Sequence, residues 1–298
     1  MNYACHLLVL LSIYSILAIS LNLVVGYAGL LTFAHASYFA LGCYVYAVLA
    51  LRGMGFIPAA GFALILGGIC SLAVSLPAWR LRGDFFVLAS LAVQVVILDA
   101  IRNWANPSAP LGTLSNLTNG PLGIAGIPKP IFIGHTFDTT SSFATLAVVL
   151  AVGAGLVCWR LTASPWGRLL KCMRDDELAT RSLGKNVRLA KLQVFAFSCA
   201  LAAVAGALYA GYVNYIDPST GSLDESILML SMVLIGGTGN FRGPLVGAVI
   251  LVAIPELLRF FHIANGPTAN LRILIYGLLL ITFTHLRPQG IAGDYRVR

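Results

Sequence analysis

The feature that most restricts the fold of this chain is a series of long, nearly uncharged apolar runs. Nine can be read from the sequence, at 4–25, 29–51, 56–78, 84–101, 143–161, 191–213, 226–241, 243–261 and 270–286. About 20 apolar residues suffice for a helix to cross a hydrocarbon core, and a helix pairs its backbone amides within one segment. We therefore predict an all-α, polytopic transmembrane helix bundle of about eight to ten spans.

The composition supports one membrane domain over 1–298. Hydrophobic residues make up 58% of the chain and charged residues 10%, whereas about 25% charged residues is usual in soluble domains. Ten of the thirty charged residues lie within residues 164–191, which we call the charged segment. The six cysteines are scattered, without zinc-finger or thioredoxin spacing, and we interpret them as small packing residues.

Lysine and arginine are distributed unevenly between the connecting segments, which predicts the orientation of the spans. If the charged segment is cytoplasmic and the spans alternate from it, fourteen basic residues lie inside and five outside, with the N-terminus outside. The inner set is Arg80, Arg82, Arg160, Arg168, Lys171, Arg174, Arg181, Lys185, Arg188, Lys191, Arg242, Arg287, Arg296 and Arg298. The outer set is Arg52, Arg102, Lys129, Arg259 and Arg272.

The net charge of +8 is carried by the predicted inner side of the spans. Since the excess lies on the inner side of the spans, we attribute it to topology and to contact with anionic membrane lipid. Binding to nucleic acid is not expected.

Topology gives a first testable prediction. A reporter fused near Lys185 should be cytoplasmic and one near Asn119 external, because the basic residues concentrate on one side of the spans. Enzymatic or fluorescent reporters at the two sites measure this. Activity in the same compartment for both fusions would refute the span assignment.

Residues 103–142 form the one long stretch outside the membrane on the predicted outer side. The stretch contains NPSAP, TNGPLGIAG and IPKP, which are turn signals. We therefore expect an external, periplasmic loop that is an ordered cap with little helix.

A few polar side chains lie within the apolar runs, and these are our candidates for a substrate pathway. Polar residues are costly in lipid and usually face a bundle interior or a water-filled cavity. Asn22, His35 and Gln94 meet this description. A packing role is an equally good explanation for His35.

The glycine-rich stretch GGTGNFRG at 236–243 superficially resembles a phosphate-binding loop. It lacks both the GK[ST] ending and the GxGxxG spacing, and another apolar run follows it. We interpret it as a tight inner turn between two spans. The sequence thus predicts no nucleotide site, no metal site and no catalytic residues in this chain, which is not expected to be an enzyme.

The charged segment has the pattern of two short helices on the cytoplasmic side. Ser164-Pro165 is a typical helix start, and the acids at 175–177 suit the beginning of a second helix. Leu178, Ala179 and Leu183 give that helix an apolar side, and Gly184 is a good helix stop. An ordinary solvated loop that anchors the topology is the simpler alternative. A docking surface for a cytoplasmic partner explains the acids, the apolar side and the glycine together.

The stretch SPWGRLLKCMRDDELATRSLGKNV resembles the cytoplasmic coupling segment of LivM-type permeases of the branched-chain amino acid ABC importer family. Further blocks agree in the same order, and the resemblance covers nearly the whole chain. These blocks are LNLVVGYAGLLTFAHASYFALG, RLRGDFFVLASLA, NGPLGIAG, AGALYAGYVNYIDPS and LIGGTGNFRGPLVGA.

The resemblance implies an ABC importer permease fold and a cytoplasmic coupling segment at 162–191, in a multi-pass protein of the bacterial inner membrane. It also implies four partner subunits, namely a second permease of the LivH type, two cytoplasmic ATPases that hold ATP and Mg²⁺, and a periplasmic substrate-binding protein. By the same resemblance, the residues that couple to the ATPases are Gly167, Arg168, Arg174, Asp175, Glu177, Leu178, Ala179 and Gly184.

Two alternatives remain at this point. The family also includes urea and amide importers, so the resemblance does not determine the solute. A stand-alone secondary transporter or channel would need no ATPase. A proton- or sodium-coupled version of it is expected to carry carboxylates near the middle of its spans, and the apolar runs contain no such series.

Overall fold

A computed structural model describes residues 2–78 and 84–260, except positions 107, 114, 133, 134 and 138, together with 274, 277–279, 281, 282, 285 and 290–292. This part contains ten α-helices and a π-helical turn, Leu23–Tyr27. The helices are α1 Asn2–Asn22, α2 His35–Leu51, α3 Phe56–Ala78, α4 Asp84–Asn103, α5 Thr140–Ala163, α6 Pro165–Asp175, α7 Glu177–Ser182, α8 Val187–Val213, α9 Leu223–Gly236 and α10 Arg242–Phe260.

The helices confirm the predicted all-α polytopic fold. In the described part, four stretches are long and apolar enough to cross a membrane, namely Tyr3–Tyr27, Phe85–Asn103, Thr140–Ala163 and Val187–Val213. Shorter apolar stretches lie in α2, α3 and α10. Eight of the nine predicted runs coincide with α1–α5 and α8–α10. The ninth run, 270–286, lies largely outside the described residues.

The predicted start of the second run at residue 29 is wrong, because α2 begins only at His35. Gly29 has a φ of +70°, a left-handed conformation that does not continue an α-helix. Hydroxyl groups from other helices bond the non-helical backbone that follows: Phe33 N–H donates to Ser90 Oγ over 3.0 Å, and the Ser226 hydroxyl donates to the Phe33 carbonyl. Irregular backbone is tolerated in a membrane protein where such partners surround it.

The core of the bundle is built around α1, α2 and α8, whose side chains are mostly buried. Small residues let α2 and α8 approach closely, as is usual between membrane helices. A Cβ atom at Gly42 would overlap the Ala203 backbone, and one at Gly206 the Phe39 carbonyl. The outward faces of α3, α4 and α5 carry exposed apolar side chains, among them Ile65, Ile69, Phe85, Leu88, Val96, Val149, Val152 and Leu156.

The connections at one end of the bundle form a cap with little helix. The part of residues 104–139 that the structure describes contains a 3₁₀ turn, Gly120–Leu122, and the strands β1 Ile124–Ala125, β2 Ile131–Phe132 and β3 His135–Thr136. Strand β1 pairs antiparallel with β4, Tyr215–Ile216, which follows α8. Strands β1 and β4 belong to two connections that the alternation of spans assigns to the outer side. Their pairing is expected if both connections lie at the same face of the membrane.

Candidate functional site

The charged segment folds into α6 and α7, and side-chain caps start both helices. The Ser164 hydroxyl accepts a hydrogen bond from the Trp166 amide over 3.2 Å, with Pro165 in the first turn. Asp176 accepts from the amides of Leu178 and Ala179 over 2.8 and 3.0 Å. Because such caps satisfy amides that lack a partner within the helix, the local sequence fixes where each helix begins.

The end of α7 also agrees with its sequence. The helix stops at Ser182, and Gly184 has a φ of +74°. Glycine adopts this left-handed conformation without steric cost. A Cβ atom at Gly184 would have no neighbour within 4 Å, so backbone conformation rather than space explains the glycine.

The apolar side of α7 faces away from the bundle. Leu178 is 62% exposed and Leu183 77% exposed, and Ala179 is exposed beside them. Thr180 on the opposite side is buried, and its hydroxyl donates to the Asp176 carbonyl over 2.8 Å. We call Leu178, Ala179 and Leu183 the apolar tip of α7.

The eight predicted coupling residues divide into an outward and an inward group. Arg168, Asp175, Leu178, Ala179 and Gly184 are exposed, whereas Gly167 is buried and Arg174 and Glu177 are half-buried. Only the first group is directly accessible to a partner. The second group contacts other parts of this chain.

Gly167 and Glu177 hold the charged segment against the bundle. A Cβ atom at Gly167 would overlap the backbone of Thr162, so glycine allows α6 to turn back sharply after α5. Glu177 accepts a hydrogen bond from Lys191 Nζ on α8 over 2.8 Å and pairs with Arg181 on α7. These contacts fix α7 relative to the start of α8.

Arg174 points into the bundle, and its side chain is only 10% exposed. Its Nη1 donates to the Gly26 carbonyl in the π-helical turn over 2.7 Å, and its Nε contacts Asp175 Oδ1 over 3.2 Å. Lys171, one turn earlier on α6, lies over the Tyr27 ring at 5.3 Å from the centroid, within the range of a cation–π contact. Helix α6 is therefore attached to the π-helical turn at two places.

The three predicted pathway residues are buried at separate places. Asn22 contacts the turn between α9 and α10, with Nδ2 donating to the Asn240 carbonyl over 3.0 Å and Oδ1 accepting from the Gly239 amide over 3.3 Å. His35 Nε2 lies 3.0 Å from the Ser20 hydroxyl on α1, consistent with the packing role left open for it.

Gln94 lies at the middle of α4 and contacts a non-helical segment. Its Nε2 donates to the Gly221 carbonyl over 2.9 Å, at the end of the 3₁₀ turn Pro218–Gly221. Its buried Oε1 accepts no hydrogen bond from the described residues. A 3₁₀ turn thus reaches the middle of a helix that is long enough to cross a membrane.

Two grooves on the described surface of the bundle are apolar, and none of these three side chains lines either of them. One, of about 650 Å³, lies between α1, α5 and α10, with Arg242 at one end. The other, of about 570 Å³, lies between α3, α5, α6 and α8 beside Trp166. Both grooves are mostly apolar, as expected of surface covered by lipid or by another membrane subunit.

The π-helical turn and the turn at 237–241 are functional candidates that the sequence reasoning missed. Their only signals were glycines: a Cβ atom at Gly26 would lie 2.6 Å from the Gly239 amide nitrogen, and Gly237 and Gly239 have positive φ. The sequence predicted the tight turn at Gly236–Gly243 but not what it contacts.

A bundle of apolar helices with a pair of short helices attached at one end defines the class of multi-pass membrane proteins. The chain belongs to the family of branched-chain amino acid transport system permease components, whose profile matches residues 3–283. The resemblance found in the charged segment is thereby confirmed over nearly the whole chain.

Several curated proteins are similar to this chain. The high-affinity branched-chain amino acid transport system permease protein LivM of Escherichia coli is 31% identical over 94% of this chain and 67% of its own. A probable LivM protein of Methanocaldococcus jannaschii is 26% identical over 95% and 91%. The LivH permease of Escherichia coli is 25% identical over 95% and 92%. No solved structure matches this chain.

Proposed function

We propose that this chain is a LivM-type membrane subunit of an ATP-driven importer for branched-chain or related amino acids in the bacterial inner membrane. A LivH-type permease is its partner in the membrane, and a periplasmic binding protein delivers the solute. Two cytoplasmic ATPases dock beneath and hold ATP and Mg²⁺. Relatives named LivM and LivH both resemble this chain, which supports a pair of related permeases.

The exposed apolar tip of α7 is the observation that carries the docking part of this proposal. Leucines more than 60% exposed, one in the first turn of a short, capped helix and one directly after its last residue, leave apolar area in contact with water. A segment that only anchored the topology would need its positive charge alone. A cleft on a partner would cover the tip, and the charges of Arg168 and Asp175 nearby would help to set its register.

ATP drives the transport cycle by changing which conformation the ATPases favour. ATP binding closes the two ATPases and moves α6 and α7 with them. An outward-facing and an inward-facing bundle differ in their affinity for the closed ATPase dimer. This difference shifts the population between the two conformations of the bundle. The energy reaches the bundle through contacts between the charged segment and the membrane helices.

The solute passes near the junction of Gln94 with Gly221. Non-helical backbone at the depth of a membrane helix usually lines a cavity or is buried in protein, and transporters often bind solutes beside such interruptions. Oε1 of Gln94, which accepts no hydrogen bond within the described part of the chain, is an acceptor suited to the ammonium group of an amino acid. Asn22 and His35 bond to neighbouring elements and are weaker candidates.

Labelling by thiol reagents tests the pathway. Cysteine is introduced at Asn22, His35 or Gln94, one position at a time, in a chain whose accessible Cys5, Cys70 and Cys172 are replaced by serine, and the membranes are treated with small polar thiol reagents. We expect at least one of them, Gln94→Cys first, to react in some nucleotide state, because an open pathway admits water. The buried native Cys43 and Cys199 serve as unreactive controls. Packing roles for all three positions follow if none reacts in any state.

Reconstitution tests the function itself. The chain is co-expressed with its partner permease and ATPases, and uptake of labelled leucine and urea is measured in vesicles with the binding protein outside. Leucine uptake that requires ATP on the ATPase side supports the proposal. Urea uptake alone would assign the solute to the amide branch of the family. ATP-independent uptake by the chain alone would establish a stand-alone transporter or channel instead.

A further inference from the structure

The π-helical turn Leu23–Tyr27 ends the first helical stretch of the chain, and backbone carbonyls in the last turn of a helix have no amide partner within it. In an α-helix the Gly26 carbonyl would accept from the Leu30 amide, but that amide donates to Val24 over 3.0 Å. The widened turn is closed by the Ala28 amide, which donates to the Leu23 carbonyl over 3.1 Å. The Gly26 carbonyl is thereby left for the Arg174 guanidinium, and such π-helical distortions are common at functional sites.

The same turn contacts the cytoplasmic end of α9. Asn22, directly before it, bonds to both Gly239 and Asn240 in the turn between α9 and α10. The fit is close, because a Cβ atom at Gly26 would overlap the Asn22 side chain and crowd the Gly239 amide. A displacement of the π-helical turn therefore moves the end of α9 with it.

The other end of α9 lies beside the interrupted segments of the bundle. Ser226, in the first turn of α9, bonds to the Phe33 carbonyl in the non-helical stretch before α2. Phe33 in turn contacts Ser90 on α4, one helical turn before Gln94. Helix α9 thus connects the turn at 237–241 to the neighbourhood of Gln94.

From these contacts we infer that Arg174 is a positioning residue that transmits the movement of α6 to α9 through the π-helical turn and Asn22. The Arg174 guanidinium contacts both the Asp175 carboxylate and the Gly26 carbonyl. Helix α6 therefore cannot shift without pulling on the π-helical turn. The Lys171–Tyr27 contact supports the same attachment. The inference rests on the proposed function, and it separates a residue that transmits force from the apolar tip that receives the ATPase.

The test compares Arg174→Ala with Lys185→Ala, an exposed cation of the same segment, in the complete reconstituted complex. Three quantities are measured, namely ATPase subunits retained on purification, ATP hydrolysed and leucine transported. For Arg174→Ala we expect retained ATPases and continued hydrolysis, with solute transported per ATP lowered about tenfold, a usual size for coupling between sites. Lys185→Ala should match the unchanged complex in all three.

Other results would overturn the inference. An unchanged transport-to-hydrolysis ratio in Arg174→Ala excludes a transmitting role, and loss of the ATPases assigns Arg174 to the docking surface. If that variant does not accumulate in the membrane, Asn22→Ala tests the far end of the same route. A lowered ratio there supports the inference, and an unchanged ratio refutes it. Failure of the unchanged complex to couple hydrolysis to uptake would count against the proposed function instead.

Discussion

Replacing Leu178 by glutamate should abolish both ATPase binding and transport. The substitution places a charge in the centre of the apolar tip, where a docking cleft would have to desolvate it. Truncation of a central interface contact costs about 2 kcal/mol or more, and a buried unpaired charge costs more than truncation. Ala179→Glu should act in the same way. Co-purification of the ATPases with the membrane subunits measures the effect.

Two kinds of control make this result specific. Leu122→Glu changes a leucine that is 76% exposed but lies in the cap at the other end of the bundle, and it should leave ATPase binding intact. Single substitutions of Lys185 or Arg188 should do little, because rim charges contribute less than central contacts. Normal transport by the Leu178 and Ala179 variants would leave the charged segment as a topology anchor.

Replacing Gly206 by leucine should prevent most of the protein from reaching its folded state. Helices α2 and α8 touch backbone to backbone at this glycine, and even a Cβ atom would overlap the Phe39 carbonyl. Overpacking of a well-packed core typically costs about 1–3 kcal/mol, and here the displaced atoms belong to a rigid backbone. We expect a large loss of folded protein and a lower Tm in detergent.

A glycine at the surface of the same bundle provides the matched control. Gly153 in α5 has no neighbour within 4 Å of its Cβ position and is exposed. Gly153→Leu should therefore accumulate normally, since leucine also favours a helix more than glycine does. Equal yields and equal Tm values for the two variants would contradict the assigned packing of α2 against α8.

The helical bundle could be predicted from sequence because lipid permits few alternatives. Apolar runs of membrane length must be helices, and caps such as Ser164 and Asp176 act through residues two or three positions away. Signals of this kind are local, so α6, α7 and the stop at Gly184 agree with the prediction. The start of α2 was missed because Leu30, Leu31 and Phe33 are as apolar as a span while Gly29 ends the helical path.

The direction in which each charged side chain points could not be read from the sequence. Arg168 and Arg174 are both arginines of α6, yet one is exposed and the other bonds to Gly26, a residue 148 positions away in the chain. Contacts of this kind depend on where α1 ends relative to α6. The roles assigned to the eight coupling residues and to the three pathway residues stay predictions, although the structure divides the coupling residues into outward and inward groups.

The short length of α9 has a consequence for biogenesis. Its 14 residues extend only about 21 Å at 1.5 Å per residue, less than the roughly 30 Å of a hydrocarbon core. A nascent α9 alone therefore cannot be integrated as an independent span. Gly236, Gly243 and Gly247 hold α9 and α10 in backbone contact, so the two helices must leave the translocation machinery together, as one hairpin.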